Sequence, residues 1–321
     1  MKKLSLLLFV MLIGCVCMTG CGKKTQSDKE GINVVTTKFA SYDFARAVVG
    51  DKGNVTMLLP PASESHTYEP TPQDIISIQN ADLFVYNGGE SETWVDEVLK
   101  DIDTSKVKVI SCMDMVTLYE EETVEGMQAE EEEEEGEEGE EGEEVEYDEH
   151  VWTSPMNAKK IVEGIEKEVA EIDAANKDTY LENAASYEQK LDKLDSEFKD
   201  VVSKANNPTV VFGDRFPLRY FVEEYGIKYF AAFPGCAEDT EPNASTVAFL
   251  IDKVKAEKIP VVFHIELSNE KITNTICEST GAKSMLFHTC HNISKDDFEA
   301  GVTYVDLMEQ NVKNLDAALN E

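Results

Sequence analysis

Residues 31–60 read GINVVTTKFASYDFARAVVGDKGNVTMLLP. A short apolar run, Gly31–Lys38, is followed by helical spacing from Ser41 to a glycine stop at Gly50, and then by a second apolar run, Asn54–Pro60. Short runs rich in Val, Ile and Thr read as strands, whereas a Ser cap and a trailing Gly bound a helix. The unit repeats. TPQDIISIQNA, with Thr71 or Asp74 as cap, is a helix, DLFVYNG a strand, ETWVDEVLKDI a helix and KVKVISC a strand. Strands that alternate with helices imply a mostly parallel sheet with helices on its faces, so the fold class is α/β.

Past this half, SPMNAKKIVEGIEKEVAEID opens with Ser154 and Pro155 in cap and first-turn positions. A long amphipathic helix follows from Lys177, with an apolar face assigned to Leu181, Ala185, Tyr187, Leu191, Leu194 and Phe198. The alternation then restarts. TVVFG, KYFAAFPG, PVVFHIE and KSMLFHT are strands separated by helices, and TYVDLMEQNVKNLDAAL closes the chain. Two similar α/β halves therefore flank one long helix.

The chain has 321 residues, 42% of them hydrophobic, enough for two packed domains. Its net charge of −35 argues against nucleic acid or an anionic membrane surface as partner. Nineteen acids and no Lys or Arg fall between Glu120 and Glu149, so the rest is only moderately acidic. That tract cannot bury enough surface to order itself, and it reads as a mobile loop within the first half. It ends against His150, one of five histidines.

The N-terminus, MKKLSLLLFVMLIGCVCMTGC, has a basic start and an apolar run too short for a stable span. Small residues lead to Cys21, and MTGC resembles a bacterial lipobox, with LIGC at Cys15 the alternative. A lipidated Cys21 would leave 22–31 as a polar tether and place the body outside the membrane. No other segment reaches about 18 apolar residues. The remaining cysteines, Cys112, Cys236, Cys277 and Cys290, form no CxxC. Cys236 and Cys290 lie at strand ends and are expected to pair, with a thiolate ligand the alternative for Cys290.

Four histidines stand at strand ends or loop–helix junctions: His66 in PPASESHTYEPTP, His150 in DEHVWTSPMNA, and His288 and His291 in FHTCHN. His264, inside VVFHIEL, reads as structural. Loops beyond the carboxyl ends of strands form the ligand crevice of such folds, and neutral imidazole is the commonest zinc ligand.

SHTYEPTPQDI, DEHVWTSPMNA, the long central helix, TEPNASTVAFLIDKVK and GVTYVDLMEQNVKNL resemble the zinc/manganese-binding lipoproteins of bacterial ABC transporters over essentially the whole mature chain. The resemblance implies two Rossmann-like lobes (32–155 and 207–321), rigid linking helices (156–206), and one metal between the lobes. It implies His66 and His150 as ligands. A third ligand normally opens a segment His-x-x-Phe; here the segment reads GDRF, so Gly213 stands there with Asp214 next to it. The fourth position, just after the last strand, falls on His288. The expected site is therefore His66, His150 and His288, with His291 or Asp214 as further candidates, Asp214 alternatively a structural ion-pair partner of Arg215, and with Glu69 and Glu149 as outer acceptors or solvated acids. Three imidazoles favour Zn2+ over manganese or iron, which want more carboxylate. The implied role is non-catalytic: a monomeric, lipid-anchored binding protein on the extracytoplasmic face that delivers zinc to an ABC permease and its ATPase. The competing readings are a zinc hydrolase, for which no His-Glu-x-x-His is present, and a surface adhesin acting through the acidic tract.

Overall fold

The computed structural model describes residues 31–128, 146–237 and 242–321. The leader, Cys21, the tether up to Glu30 and residues 129–145 of the acidic tract lie outside the described residues. Two four-stranded, wholly parallel sheets carry the chain. The first has the order β2-β1-β3-β4, from β1 (Ile32–Thr36), β2 (Gly53–Met57), β3 (Leu83–Tyr86) and β4 (Lys108–Ser111). The second repeats it as β6-β5-β7-β8, from β5 (Thr209–Phe216), β6 (Lys228–Pro234), β7 (Val261–His264) and β8 (Lys283–Leu286). The helices are α1 (Phe39–Val49), α2 (Pro72–Gln79), α3 (Trp94–Asp101), α4 (Pro155–Ile172), α5 (Lys177–Lys204), α6 (Arg219–Tyr225), α7 (Ala244–Glu257), α8 (Lys271–Thr280), α9 (Lys295–Ala300) and α10 (Tyr304–Asn320).

The predicted local signals act as expected at several ends. Thr71 caps α2 in a reciprocal box with Asp74, Ser154 caps α4 ahead of Pro155, and Gly50 closes α1 with φ 60°. The α5 face is offset from the predicted one: Leu181 and Ala185 face solvent, and Tyr180 and Ala184 are buried instead. Tyr180 has a reason to turn inward, since its hydroxyl reaches Asp173 at 2.8 Å.

Alternation along the strands divides the core. Val34, Leu83, Val85, Val210 and Phe212 join one large cluster that continues through α1, α4, α5 and α10. Their neighbours Val35, Phe84 and Val211 point the other way into smaller clusters, one per sheet. A single hydrophobic mass therefore spans both sheets. The buried Asp43 carboxylate reinforces it, accepting from the Tyr187 hydroxyl at 2.5 Å and the Tyr304 amide at 2.8 Å, and so tying α1, α5 and α10 together.

The described ends of the acidic tract correct the expectation of a free loop from Glu120 to Glu149. Residues 119–121 and 146–148 pair backbone to backbone, Gln128 donates to the Ala232 carbonyl at 3.0 Å, and Met127 is buried. Asp148 and Glu149 are buried as well.

Candidate metal centre

Every strand order of this kind has a switch point beside its first strand, and the loops leaving the carboxyl ends there form the crevice. The two sheets bring their loops to one place. Lys38 follows β1, His66 follows β2, Glu92 follows β3, Arg215 closes β5, Gly235 follows β6, Glu266 follows β7, and the segment 288–291 follows β8. Asn292 Nδ2 donates to the carbonyls of Pro60 and Ser63 at 2.9 and 2.7 Å, joining the His291 loop to the His66 loop. Trp152 Nε1 donates to the Thr289 carbonyl at 2.8 Å, joining it to the His150 loop.

His66, His150 and His291 converge, with ring centroids 6.0, 5.2 and 4.5 Å apart in the pairs 66–150, 66–291 and 150–291. One donor atom from each, and one Glu149 oxygen, lie within 4.8 Å of one another. A tetrahedral ion with metal–nitrogen bonds of 2.0–2.1 Å needs its donors about 3.3 Å apart, a small contraction of this cluster.

The proton on each imidazole is assigned by its Nδ1 partner. His66 Nδ1 lies 2.9 Å from Glu64 Oε1, and His150 Nδ1 lies 3.0 Å from Asp148 Oδ1. The Glu64 and Asp148 oxygens also accept backbone amides, of Ser65 and His150, so they act as acceptors and both Nδ1 atoms carry hydrogen. His291 Nδ1 lies 3.1 Å from Thr289 Oγ1, whose own hydrogen goes to Glu266 Oε1 at 2.6 Å, so His291 also donates from Nδ1. All three Nε2 atoms are left as acceptors, and all three are buried without a protein hydrogen-bond partner. Three buried lone pairs facing each other are costly unless something electrophilic fills the gap. Carboxylate-backed imidazoles of this kind are how proteins orient metal ligands. The outer acceptors are thus Glu64, Asp148 and, through Thr289, Glu266; Glu69 and Glu149 do not take that role. Thr289→Val should cut metal affinity by about 10–100-fold with the fold retained, as competition titration and circular dichroism would show.

Around the donors the charges are fixed. Burial works against the Glu149 carboxylate, but Lys38 and His150 outweigh it and hold its pKa at about 2. Burial opposes the Lys38 ammonium too, yet Glu149 and Glu92 keep its pKa raised. The Arg215 guanidinium lies 3.2 Å from Glu64 Oε2 and 3.2 Å from His66 Nδ1. The shorter Glu64 contact decides the His66 tautomer. A cavity of about 20 Å³ is lined by His66, His291, Arg215, Glu266 and Leu267 among others.

Three expectations are corrected. His288 is in the right loop but faces away. Its Nδ1 accepts from the Cys290 amide at 3.0 Å, which puts the remaining proton on Nε2 and leaves no free lone pair for a metal. Cys290, at φ 61°, makes the left-handed turn that sends His291 into the site instead. Asp214 is outside the donor cluster and accepts from the Arg215 amide at 3.0 Å. The third ligand position is closed: a Cβ on Gly213 would sit 2.7 Å from the Thr273 Cα and 2.8 Å from its backbone nitrogen. Cys236 and Cys290 do not pair and are free thiols, as are Cys112 and Cys277. Cys290 is buried with Asp43 and Glu266 as its charged neighbours, whereas Cys236 is half-buried near Glu121, Glu149 and Asp148.

Three carboxylates behind three converging imidazoles, in the crevice where the loops of the two sheets meet, form a site suited to a divalent cation. Residues 34–318 match the model of ZnuA, the periplasmic component A of a zinc-uptake complex, and the chain belongs to that family. It is 35% identical to the zinc-binding lipoprotein AdcA of Streptococcus pneumoniae over 98% of this chain, which spans 60% of that protein. It is 34% identical to the high-affinity zinc uptake system protein ZnuA of Bacillus subtilis, over 97% of each. Among solved structures, the Zn(II)-bound ZnuA-like domain of Streptococcus pneumoniae AdcA superposes with a TM-score of 0.73 at 31% identity, covering 91% of this chain and all of that domain. Among the described residues, no helix is long and apolar enough to cross a membrane.

Proposed function

We propose that this protein captures Zn2+ between its lobes (residues 32–155 and 207–321, braced by 156–206) and passes it to an ABC permease and its ATPase. It performs no catalysis, works as a monomer, and is held at the extracytoplasmic face by a lipid on Cys21. The three buried, unpartnered Nε2 atoms carry this reading. Nitrogen donors with one carboxylate suit tetrahedral zinc better than manganese, which favours oxygen-rich sites. The relatives named for zinc binding and zinc uptake support the same cargo. Elemental analysis and titration of the purified protein should find one zinc per chain; no bound zinc at saturation would refute the reading.

The pH dependence has a defined sign. Burial first, then the neighbouring imidazoles, Lys38 and Arg215, push His66 below the ordinary histidine value despite its bond to Glu64, and push His291 well below it. Ligands must be neutral to bind. Zinc affinity should therefore hold as pH falls through about 6.5, where free histidine protonates, and drop only beneath it. The metal-free fold should lose stability as pH falls from about 6.5 toward the lowered ring values, because in that window the unfolded chain takes up protons that the buried rings refuse. Competition titrations and urea melts across a pH series check both; affinity that begins to decline above about 6.5 would show ordinary, solvated imidazoles.

A further inference from the structure

We propose that Lys38, together with Ser91, sets the metal specificity of this site by restricting Glu149 to a single donor atom. The inference rests on the capture reading and concerns which ion the captured geometry admits. A carboxylate offers about four lone-pair sites, two on each oxygen. On Glu149, Oε1 accepts from Lys38 Nζ at 2.7 Å and from Ser91 Oγ at 2.5 Å, which fills it. Oε2 accepts from the Ser91 amide at 3.0 Å, which leaves one site. Lys38 Nζ also donates to Ser91 Oγ at 2.8 Å, so the hydroxyl's direction toward Glu149 is enforced.

Lys38 cannot relax away from this position. Its side chain is buried, its ammonium lies 3.8 Å from Glu92 and 5.4 Å from the centre of the Trp152 ring, and Glu92 is itself fixed by the amides of Asn87 and Gly88. A buried charge held among its counterions is costly to displace. Glu149 can therefore join the three imidazoles through one oxygen but not through two. The donor set closes at three nitrogens and one oxygen, which suits zinc. Manganese and calcium gain most of their binding from further oxygen donors and bidentate carboxylates, which this arrangement withholds. Lys38 is thus a positioning residue that acts through Glu149.

The test uses Co2+ as a spectroscopic probe and Zn2+/Mn2+ competition, on the wild type, Lys38→Met and Ser91→Ala. Wild-type cobalt protein should show the intense visible bands of a four-coordinate ion. Both variants free a lone pair on Oε1, so their bands should weaken as coordination number rises. Their zinc-over-manganese preference should shrink by about tenfold or more. Should Lys38→Met fail to fold, Ser91→Ala, a smaller change at a half-buried position, decides alone. Folded variants with the wild-type cobalt spectrum and an unchanged preference overturn the role of Lys38 while leaving zinc capture standing. A wild type that binds no cobalt at all removes both.

Discussion

Replacing His291 by alanine is expected to lower zinc affinity by more than the roughly 10–100-fold that follows loss of an outer-shell partner, whereas His288→Ala should change it little. The two residues share one loop, three positions apart, and both are mostly buried. They differ in what their lone pairs do. The His291 Nε2 lone pair is aimed at His66 and His150 with nothing to accept from, while the His288 Nδ1 lone pair is spent on the Cys290 amide. Loss of His291 removes one of four donors and leaves two buried acceptors facing an incomplete site. Loss of His288 removes a local brace of the loop, whose backbone Asn311 continues to hold from both sides, at 2.8 Å to the 288 amide and 2.7 Å to its carbonyl. Isothermal titration of both variants separates the alternatives; a large loss in His288→Ala alone would reverse the assignment.

The second large effect concerns Gly213. Introducing at this position the histidine that the family resemblance implies, Gly213→His, should destabilise the protein by about 1–3 kcal/mol or more and should not strengthen zinc binding. The reason is steric. The start of α8 lies directly on β5, so even a Cβ would overlap the Thr273 backbone, and backbone cannot rotate away as a long side chain can. Thr273 is also fixed by its hydroxyl, which donates to the Gly213 and Phe263 carbonyls at 3.3 and 3.4 Å. The close helix–strand contact leaves no room for a side chain at 213, while His291 and Glu149 stand with His66 and His150 in the donor cluster. Thermal melts and zinc titration of Gly213→His would check this; unchanged stability together with tighter binding would contradict it.

Much of the fold was legible because it follows from local periodicity. The alternation of Val34 with Val35, or of Val210 with Val211 and Phe212, is visible in the chain and reappears as two faces of each sheet. That the His66 and His150 loops come together was legible from their motifs. His291 was not separable from His288, because the choice rests on one left-handed residue, Cys290, and on Asn311 and Glu266 arriving from elsewhere. Charge averaged along 120–149 concealed that its last two acids are buried for opposite tasks, Asp148 to orient His150 and Glu149 to meet Lys38. Lys38 carried no signal of its own, since its partners lie 53 and 111 residues away. The expected disulfide failed for a similar reason: two strand ends in one sheet need not be neighbours, and nothing local to either cysteine reports its distance from the other.

X-ray absorption at the zinc edge on the loaded protein tests the donor assignment most directly. The expected spectrum is a four-coordinate shell near 2.0–2.1 Å with the multiple-scattering pattern of three imidazoles and one oxygen, reduced to two imidazoles in His291→Ala. A sulfur shell near 2.3 Å, or three imidazoles persisting in His291→Ala, would contradict it.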